Sequence, residues 1–430
     1  MRATIRRVLI AGAVCLGFVY VLAGGSQASR TGAAPKSHPS LAGADPVPPA
    51  ALAARLGIAE LTGSGGHSIV SWNSRTGLWG GHIKANWWQS ALAILTIVRY
   101  AERTDSRDPV YQHILLRTYR RNLFKPHSTA RRDFANEFMD DTGWWGLAWL
   151  EASRYERYVR HDGADAARFL AVAEWDARYI ASQHRPCGGI VWALRRPPDT
   201  ITSAEFIALT AELSIYRDRP GAFHDPRLAA VWRADALGAL GWLERTGLIN
   251  LRTGSVLNGV NGACRRIGGS MSYTEGEVAE ALVALGTAFH EPSYYREAAA
   301  FLRYAISPAS GLIAHGVLQE RCEAQHGGCA RLHYRLDIPA YKGLFVDAVS
   351  DWSKATGSDE FRRFLRAQAT AVLNDAIQPS PIGAPACSTP QSCQFRLAWM
   401  PHPGTPSVGV TVGGQESALD ALTAVLPRRS

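Results

Sequence analysis

The feature that most restricts the fold of this chain is a helical spacing of apolar residues that recurs after residue 50. Segments such as "QSALAILTIVRYAER" and "EFRRFLRAQATAVLNDAI" place apolar side chains three and four residues apart, as on one face of a helix. About twelve such segments follow one another, separated by glycine-rich loops such as "NSRTGLWGG". Convincing alternating strand patterns are few. The sequence therefore predicts an all-α protein.

The order of the predicted helices favours a closed ring. Helices that follow one another across loops pack as antiparallel hairpins, so about twelve helices make about six hairpins. No linker-like break interrupts residues 51–430. The hairpins would close into an (α/α)6 barrel, with inner helices as the wall and long loops around a cleft at one end. An open helical solenoid is the alternative, but the hairpins share no repeated sequence signature of the kind that solenoids usually carry.

The start of the chain predicts export. A short basic stretch precedes an apolar run over residues 8–23, and small residues follow, which is the pattern of a signal peptide (residues 1–28) cleaved near Ala28. Residues 29–50 are rich in Ser, Gly, Ala and Pro and predict a flexible leader. No later stretch is long and apolar enough to span a membrane. We therefore expect a secreted monomer, extracellular or associated with the cell wall, with a single folded domain over residues 51–430 and no membrane anchor.

The cysteines predict disulfides. Seven are present, and Cys15 would leave with the signal peptide, so six remain. An even number in an exported protein is typical of disulfide bonding. The predicted pairs are Cys322–Cys329 and Cys387–Cys393, which each close a short loop, and, by elimination, Cys187–Cys264. The alternative is that some of these cysteines remain free buried thiols.

Charge and motifs exclude several function classes. The net charge of +9 becomes about +6 once the three arginines of the predicted signal peptide are removed, and no long basic run is present, which argues against nucleic-acid binding. The thirteen histidines are scattered without ligand spacing. The chain contains no HExxH, GxSxG, P-loop or GxGxxG motif. We therefore expect neither a metal nor a cofactor.

The stretch "NEFMDDTGWWGLAWLEA" contains two adjacent aspartates, Asp140 and Asp141, followed by an apolar helical run. One interpretation is structural: Asp141 would be the helix N-cap and Asp140 a second acid favoured by the helix dipole. Trp144 would then occupy the third helical position, so the reciprocal capping box is absent. This interpretation explains one aspartate well and the pair poorly.

The other interpretation of Asp140 and Asp141 is glycoside hydrolysis, which uses one carboxylate as nucleophile or base and another as proton donor. Adjacent residues can bring their carboxyl groups to the roughly 5 Å separation of retaining enzymes more easily than to the wider gap of inverting ones. Two acids this close also push their pKa values apart. Adjacency therefore favours retention through a covalent intermediate, and on the pair alone both interpretations stay open.

Tryptophans near this pair could stack against sugar rings. Seven of the thirteen tryptophans precede residue 150. Trp79, in a glycine-flanked loop, and Trp144, beside the acids, are the better candidates for exposed platforms. The alternative for any single tryptophan is a place in the core.

In these residues the chain resembles glycoside hydrolase family 76, the bacterial and fungal endo-α-1,6-mannanases. The matching segments run in order through the chain as "WNSRTGLW", "WWQSA", "DDTGWWGLAWLEA", "CGGIVW", "WLERTGLIN", "YKGLF" and "ESALDAL". The resemblance implies an (α/α)6 barrel, a retaining mechanism and a substrate of α-1,6-linked mannose chains. It also implies that Asp140 is the nucleophile and Asp141 the general acid/base.

The chain departs from the family pattern around the pair. A "KNAISNE"-like stretch reads "PDTITSAE", with Asp199 and Ser203 where asparagines are expected. An Asp-Gly dipeptide appears as Asn258-Gly259, and "TYNQG" appears as "SYTEG", which keeps Tyr273 but places Glu275 where Gln is expected. The resemblance implies that these positions contact sugar. Glu275 is a third possible acid in the cleft, and its alternative is a solvated loop or helix-start residue.

Two further polar residues are candidates for the cleft. Asn136 could orient a carboxylate or be an exposed loop residue, and Lys342 in "YKGLF" could be a cleft charge or a structural partner. The sequence leaves open a transglycosidase that remodels cell walls, a glycan-binding protein without turnover, and an (α/α)6 enzyme acting on another polysaccharide.

Overall fold

The computed structural model describes residues 47–427, apart from 65–67, 81–85, 125–132, 184, 270, 326–327, 333, 380–383 and 402–407. These residues belong to one compact unit, which spans residues 44–430. The predicted signal peptide and most of the predicted leader lie outside the described residues. The first helix begins at Val47, so the last turn of the predicted 29–50 leader is already helical.

Twelve α-helices make up most of the described part of the chain. Their bounds are α1 Val47–Leu61, α2 Trp87–Thr104, α3 Pro109–Asn122, α4 Met139–Tyr155, α5 Gly163–Ala181, α6 Thr200–Asp218, α7 Pro226–Thr246, α8 Ser272–Phe289, α9 Pro292–Ile306, α10 Ile338–Thr356, α11 Arg362–Ala371 and α12 Val412–Ala424. A π-helical turn, Glu156–Arg160, follows α4.

The even-numbered helices form a closed ring. α2 packs on α4, α4 on α6, α6 on α8, α8 on α10, α10 on α12, and α12 returns to α2. The odd-numbered helices lie outside this ring, as α5 does on α4 and α7 on α6. The predicted (α/α)6 barrel is therefore confirmed, and the open solenoid is excluded because α12 meets α2.

Burial distinguishes the two rings. Inner helices such as α8 and α12 are buried on nearly all sides, whereas outer helices such as α9 bury one face. Close packing of inner helices also requires small residues. A Cβ at Gly276 of α8 would lie 2.7 Å from Phe345 Cα in α10, so the glycine of "SYTEG" sets how closely these helices approach.

All the long loops lie at one end of the barrel. Each connection from an outer to an inner helix is long, as over residues 182–199 and 247–271, whereas the returns from inner to outer helices are short. The N-termini of the inner helices and these loops therefore share one end. Four short antiparallel strand pairs lie in the loops: β1 Trp72–Asn73 with β2 Leu78–Trp79, β3 Ile249–Asn250 with β4 Ser255–Val256, β5 Gly259–Val260 with β6 Arg266–Ile267, and β7 Ile313–Ala314 with β8 Val317–Leu318.

The three predicted disulfides are all present. Cys187–Cys264 joins the loops before α6 and α8 with a Cα–Cα distance of 5.5 Å, and Cys322–Cys329 and Cys387–Cys393 close short loops before α10 and α12. The alternative of free thiols at these positions is wrong. Because all three lie at the loop end, they restrict the segments that surround the cleft. Across the part of the chain that the structure describes, no helix has the length and apolarity needed to cross a membrane.

Candidate active site

Asp140 and Asp141, called the aspartate pair below, lie in the first turn of α4. The helix begins at Met139, and its N-cap is Phe138, whose side chain makes no capping bond. Two backbone contacts hold the chain just before Asp140, where the helix begins. The Met139 N–H donates to Trp192 O over 2.7 Å, and Phe138 forms an antiparallel β-bridge with Ala193. The interpretation of Asp141 as the N-cap is therefore wrong, and both carboxyl groups are free of capping.

Trp192 holds the first carboxyl group of the pair. Its indole Nε1 donates to Asp140 Oδ2 over 2.8 Å, and the Asp141 N–H donates to Asp140 Oδ1 over 2.9 Å. The Trp192 ring is 38% exposed and packs on Phe138 at a centroid distance of 5.4 Å. A half-exposed aromatic ring that also fixes a carboxylate is suited to line a sugar-binding cleft.

Asn136 holds the second carboxyl group. Its Nδ2 donates to Asp141 Oδ2 over 2.6 Å, while its Oδ1 accepts the Phe138 N–H over 2.8 Å. Asn136 is only 6% exposed. The exposed-loop interpretation of Asn136 is therefore wrong, and the geometry supports the alternative, in which the amide orients a carboxylate.

The electrostatic environment separates the two carboxyl groups. Burial raises the pKa of Asp140 to about 6, and the hydrogen bonds from Asp141 N–H and Trp192 limit the rise because they favour the charged form. Burial, followed by the neighbouring charge of Asp140, raises the pKa of Asp141 well above its usual value. Near neutral pH the pair can therefore hold one negative charge, on Asp140, and one proton, on Asp141.

A third acid, which the sequence reasoning missed, lies beneath the aspartate pair. Glu205 of α6 is fully buried, and neither carboxyl oxygen has a hydrogen-bond partner among the described residues. Burial, and next the charge of Asp140, raises its pKa well above the usual value, which favours its neutral form. Glu205 packs so closely on α4 that a Cβ at Gly143 would lie 2.5 Å from its Oε2.

Asp199, Ser203 and Asn258 form one local unit beside the pair. Asp199 is the N-cap of α6 and accepts the Thr202 N–H over 3.1 Å; burial, and next the charge of Asp140, raises its pKa to about 7. The Ser203 hydroxyl is buried and donates to Asp199 O over 2.8 Å. The Asn258 carbonyl accepts the Thr200 N–H over 2.9 Å. Asp199 thus lies near the negative charge of Asp140, whereas the Ser203 hydroxyl holds the backbone at the start of α6.

Tyr273 belongs to an aromatic wall at the same end of the barrel. Its ring stacks on Tyr341 at a centroid distance of 3.9 Å and an angle of 9°, and Tyr341 lies 6.5 Å from the Trp88 ring. Burial raises the pKa of Tyr273 well above its usual value, and the nearby charges of Asp199 and Asp140 add to the rise. Glu275, in the same turn of α8, is fully buried, so it is neither a solvated residue nor an acid exposed in the cleft.

The two proposed tryptophan platforms are buried. Trp79 is 2% exposed and donates from Nε1 to Leu61 O over 2.7 Å, because β1 and β2 fold it against the barrel. Trp144 is 3% exposed and packs 6.4 Å from Trp88 towards the barrel interior. The prediction of exposed platforms at Trp79 and Trp144 is wrong, and the accessible aromatic surface comes instead from Trp192 and the half-buried rings of Trp88 and Tyr273, on which the buried Tyr341 packs.

Lys342 is structural rather than a cleft charge. Its side chain is fully buried and donates to Glu323 Oε1 over 3.0 Å and to Leu397 O over 2.5 Å, and its Nζ lies 4.7 Å from the Trp399 ring centroid. The placement of Lys342 among substrate-binding residues is therefore wrong. A fully buried ammonium group with an ion-pair partner fastens the Cys322–Cys329 loop to α10.

One group of acids in the described part of the chain has oxygens close enough to share a cation. Oxygens of Glu156, Asp162 and Asp165 lie within 4.8 Å of one another. Asp165 already pairs with Arg168, and Glu156 lies 3.3 Å from Arg160 Nε. This group sits at the opposite end of α4 from the aspartate pair, and its arginines make it an ion-pair network rather than part of the site.

Comparison with known proteins gives a family and a fold. The family model described as glycosyl hydrolase family 76 matches residues 66–427. No curated protein matches the chain. Several solved structures do, at low sequence identity, so their likeness concerns the fold alone.

Three of these solved structures illustrate the similarity in fold to this chain. An inactive variant of the alpha-1,6-mannanase GH76A of Salegentibacter sp. HEL1_6, with two adjacent aspartates replaced by asparagine and alpha-1,6-mannotriose bound, has a TM-score of 0.65 and 16% identity, covering 88% of this chain and 98% of that one. Dfg5 from Chaetomium thermophilum, in complex with glucosamine, has a TM-score of 0.60 and 21% identity, covering 80% and 82%. A family 76 mannosidase from Bacteroides thetaiotaomicron has a TM-score of 0.60 and 12% identity, covering 87% and 97%.

Proposed function

Because the chain belongs to glycosyl hydrolase family 76, we propose that it is a secreted, retaining glycoside hydrolase that cleaves α-1,6-mannosidic linkages in a mannan-type polysaccharide. The observation that carries this proposal is the aspartate pair, with one carboxyl group held by Trp192 and the other by Asn136. The α-1,6-mannotriose bound to the structurally similar mannanase supports the choice of linkage. The three disulfides support an oxidising compartment outside the cell.

In the proposed first step, the Asp140 carboxylate attacks the anomeric carbon of a mannose unit. The glycosidic C–O bond breaks as Asp141 donates its proton to the leaving oxygen. This assignment follows the charges, since Asp140 has the lower pKa and Asp141 the higher. The product of the step is a glycosyl ester on Asp140 and a shortened chain with a free hydroxyl group.

In the second step, the Asp141 carboxylate takes a proton from water, and the water oxygen attacks the anomeric carbon. The ester bond to Asp140 breaks and the sugar leaves with its original configuration. The raised pKa of Glu205 favours its neutral form, which adds no charge that would oppose ionisation of Asp140. In the aromatic wall, the half-buried rings of Trp88 and Tyr273 are suited to stack against sugar rings.

The test of this function is the anomeric configuration of the first product. The purified protein would be mixed with linear α-1,6-mannan and followed by proton NMR before mutarotation. We expect new α-anomeric reducing ends. A β anomer would exclude retention.

The alternative functions predict other products. Binding of mannan without cleavage at any pH would support a glycan-binding protein instead. Longer glycans in place of new reducing ends would identify a transglycosidase, in which a sugar hydroxyl replaces water in the second step. Cleavage of another polysaccharide alone in a substrate panel would overturn the proposed linkage.

The pH profile gives a separate prediction that depends on Trp192. Activity should rise as Asp140 loses its proton, with a pKa of about 6, and fall at higher pH as Asp141 loses its own. The Trp192 hydrogen bond stabilises the charged form of Asp140. In the Trp192→Phe variant, the acid limb of kcat/KM, which reports the free enzyme, should therefore move to higher pH, and the maximal kcat/KM should fall about tenfold.

The matched control for this prediction is Trp352→Phe. Trp352 also donates from its indole Nε1, to Tyr295 O over 2.8 Å, but it lies near the C-terminus of α10, at the end of the barrel opposite the pair. Its pH profile should equal that of the wild type. An unchanged acid limb in Trp192→Phe, with the protein folded, would show that the indole hydrogen bond does not control the ionisation of Asp140.

A further inference from the structure

The outer surface of α3 carries a groove with several basic side chains. His113, Arg117, Arg120 and Arg121 line this groove, whose volume is about 370 Å³. No carboxylate in the described ranges lies within ion-pair distance of these three arginines. Their charge is therefore available to an external anion.

An exposed aromatic side chain lies just beyond the end of α3. Phe124 is two residues past Asn122, the last residue of the helix, and is 72% exposed, more than any other large apolar side chain in the described residues. In the sequence, six of the seventeen residues 117–133 are Lys or Arg. Arginines in the last turn of a helix interact favourably with the negative end of the helix dipole, which would account for Arg120 and Arg121. The helix dipole explains neither Arg117, one turn earlier, nor the exposure of Phe124.

The basic groove lies at the end of the barrel that holds the aspartate pair. Arg117 Nε donates to Ser74 O over 3.1 Å, in the β1–β2 hairpin. The hairpin in turn contacts the start of α2, where Trp79 N donates to Ser90 Oγ over 3.0 Å. Trp88, in the first turn of α2, belongs to the aromatic wall. A surface that docks on the groove would therefore lie beside the cleft.

We propose that His113, Arg117, Arg120, Arg121 and Phe124, called the basic face, bind the surface of an anionic lipid bilayer. The arginines would contact headgroup phosphates, and Phe124 would enter the boundary between headgroups and acyl chains. A soluble anionic polymer would use the arginines but would give Phe124 no apolar environment. The exposed phenylalanine therefore favours a membrane, and it would hold the cleft next to glycans that are attached there.

The test is sedimentation of the purified protein with lipid vesicles. We expect binding to vesicles of equal parts phosphatidylcholine and phosphatidylglycerol, weak binding to phosphatidylcholine alone, and loss of the difference at about 1 M salt, where charges are screened beyond about 3 Å. The basic and apolar start of the chain over residues 1–23, if it is retained, would contribute equally in every variant, so the comparison between variants and their controls isolates the basic face. The measurement needs no turnover and is independent of the proposed function.

Two variants and two matched controls make the test specific. The Arg117→Gln/Arg120→Gln/Arg121→Gln variant should lose about a hundredfold in affinity for anionic vesicles, roughly fivefold for each arginine. Phe124→Ser should also weaken binding. The first control, Arg227→Gln/Arg252→Gln/Arg296→Gln, removes the same charge from exposed arginines elsewhere, and the second, Val231→Ser, removes another exposed apolar side chain. Both should bind as the wild type does.

Three results would overturn the proposal. Equal binding of the wild type to neutral and anionic vesicles would exclude the role of charge. Equal losses in the charge variant and its control would show that only net charge matters. Unchanged vesicle binding in Phe124→Ser, together with tight binding of soluble dextran sulfate, would identify an anionic polymer as the partner instead. Near-ultraviolet circular dichroism would establish that each variant is folded.

Discussion

Replacing Asp140 by asparagine should lower the rate of α-1,6-mannan cleavage by about 10⁴-fold or more, because the amide cannot form the glycosyl ester. The side chain keeps its size and can still bond to Trp192, so the fold should be retained. The loss should appear in kcat and should persist with every leaving group. The measurement is the release of reducing ends, with single-turnover kinetics on an aryl mannoside.

Replacing Asp141 by asparagine should cost about 10²- to 10⁴-fold on mannan, and the loss should depend on the leaving group. A dinitrophenyl leaving group needs no proton, so the first step should recover and the glycosyl ester should accumulate. Added azide, which needs no general base, should then release a mannosyl azide. This rescue would separate the acid/base role of Asp141 from the nucleophilic role of Asp140.

The matched control for both variants is Asp359→Asn, which makes the same change at an aspartate whose side chain is 71% exposed. It should leave turnover unchanged. Near-wild-type turnover in Asp140→Asn or Asp141→Asn would contradict the paired-carboxylate assignment. Azide rescue of Asp140→Asn in place of Asp141→Asn would reverse the two roles.

The barrel could be predicted from the sequence because apolar spacing and loop order are local properties. The spacing marks each helix, and the absence of a linker leaves few ways to arrange about six hairpins. It does not show which helices lie inside. Because inner helices are buried all round, Trp144 lies in the interior and not in the cleft, although its neighbours in sequence form the site.

The partners of the aspartate pair were harder to predict because they come from distant segments. Asn136 is close to the pair in sequence, whereas Trp192 reaches Asp140 only because the loop before α6 returns to pair with Phe138. The sequence signal for Trp192 is the segment "CGGIVW", but nothing local to that segment indicates that its tryptophan contacts the pair. For Glu205 the signal is an acid flanked by apolar residues in "SAEFIAL", and its proximity to the aspartate pair follows only from the packing of α6 against Gly143.

Replacing Lys342 by methionine should destabilise the protein by about 3–5 kcal/mol, because Glu323 would remain as a buried carboxylate without its cation. The two side chains are 0% and 4% exposed, so water cannot take the place of the ammonium group. The measurement is urea unfolding followed by tryptophan fluorescence. Lys354→Met is the matched control, since Lys354 is exposed on the same helix, and it should change stability by less than about 0.5 kcal/mol.

The double variant Lys342→Met/Glu323→Gln should recover most of this loss. Methionine can pack on Trp399, and the glutamine Oε1 can still accept the Glu320 N–H that Glu323 Oε1 accepts over 2.7 Å. No recovery would mean that the lost bond to Leu397 O, rather than the unpaired charge, causes the instability.

The single variant should also affect substrate binding. Because Cys329 and Tyr341 share one apolar cluster, release of the loop that contains Cys329 should disturb the aromatic wall and raise KM for mannan. Lys342 would thus support the cleft from a distance, as a positioning residue and not as a sugar contact.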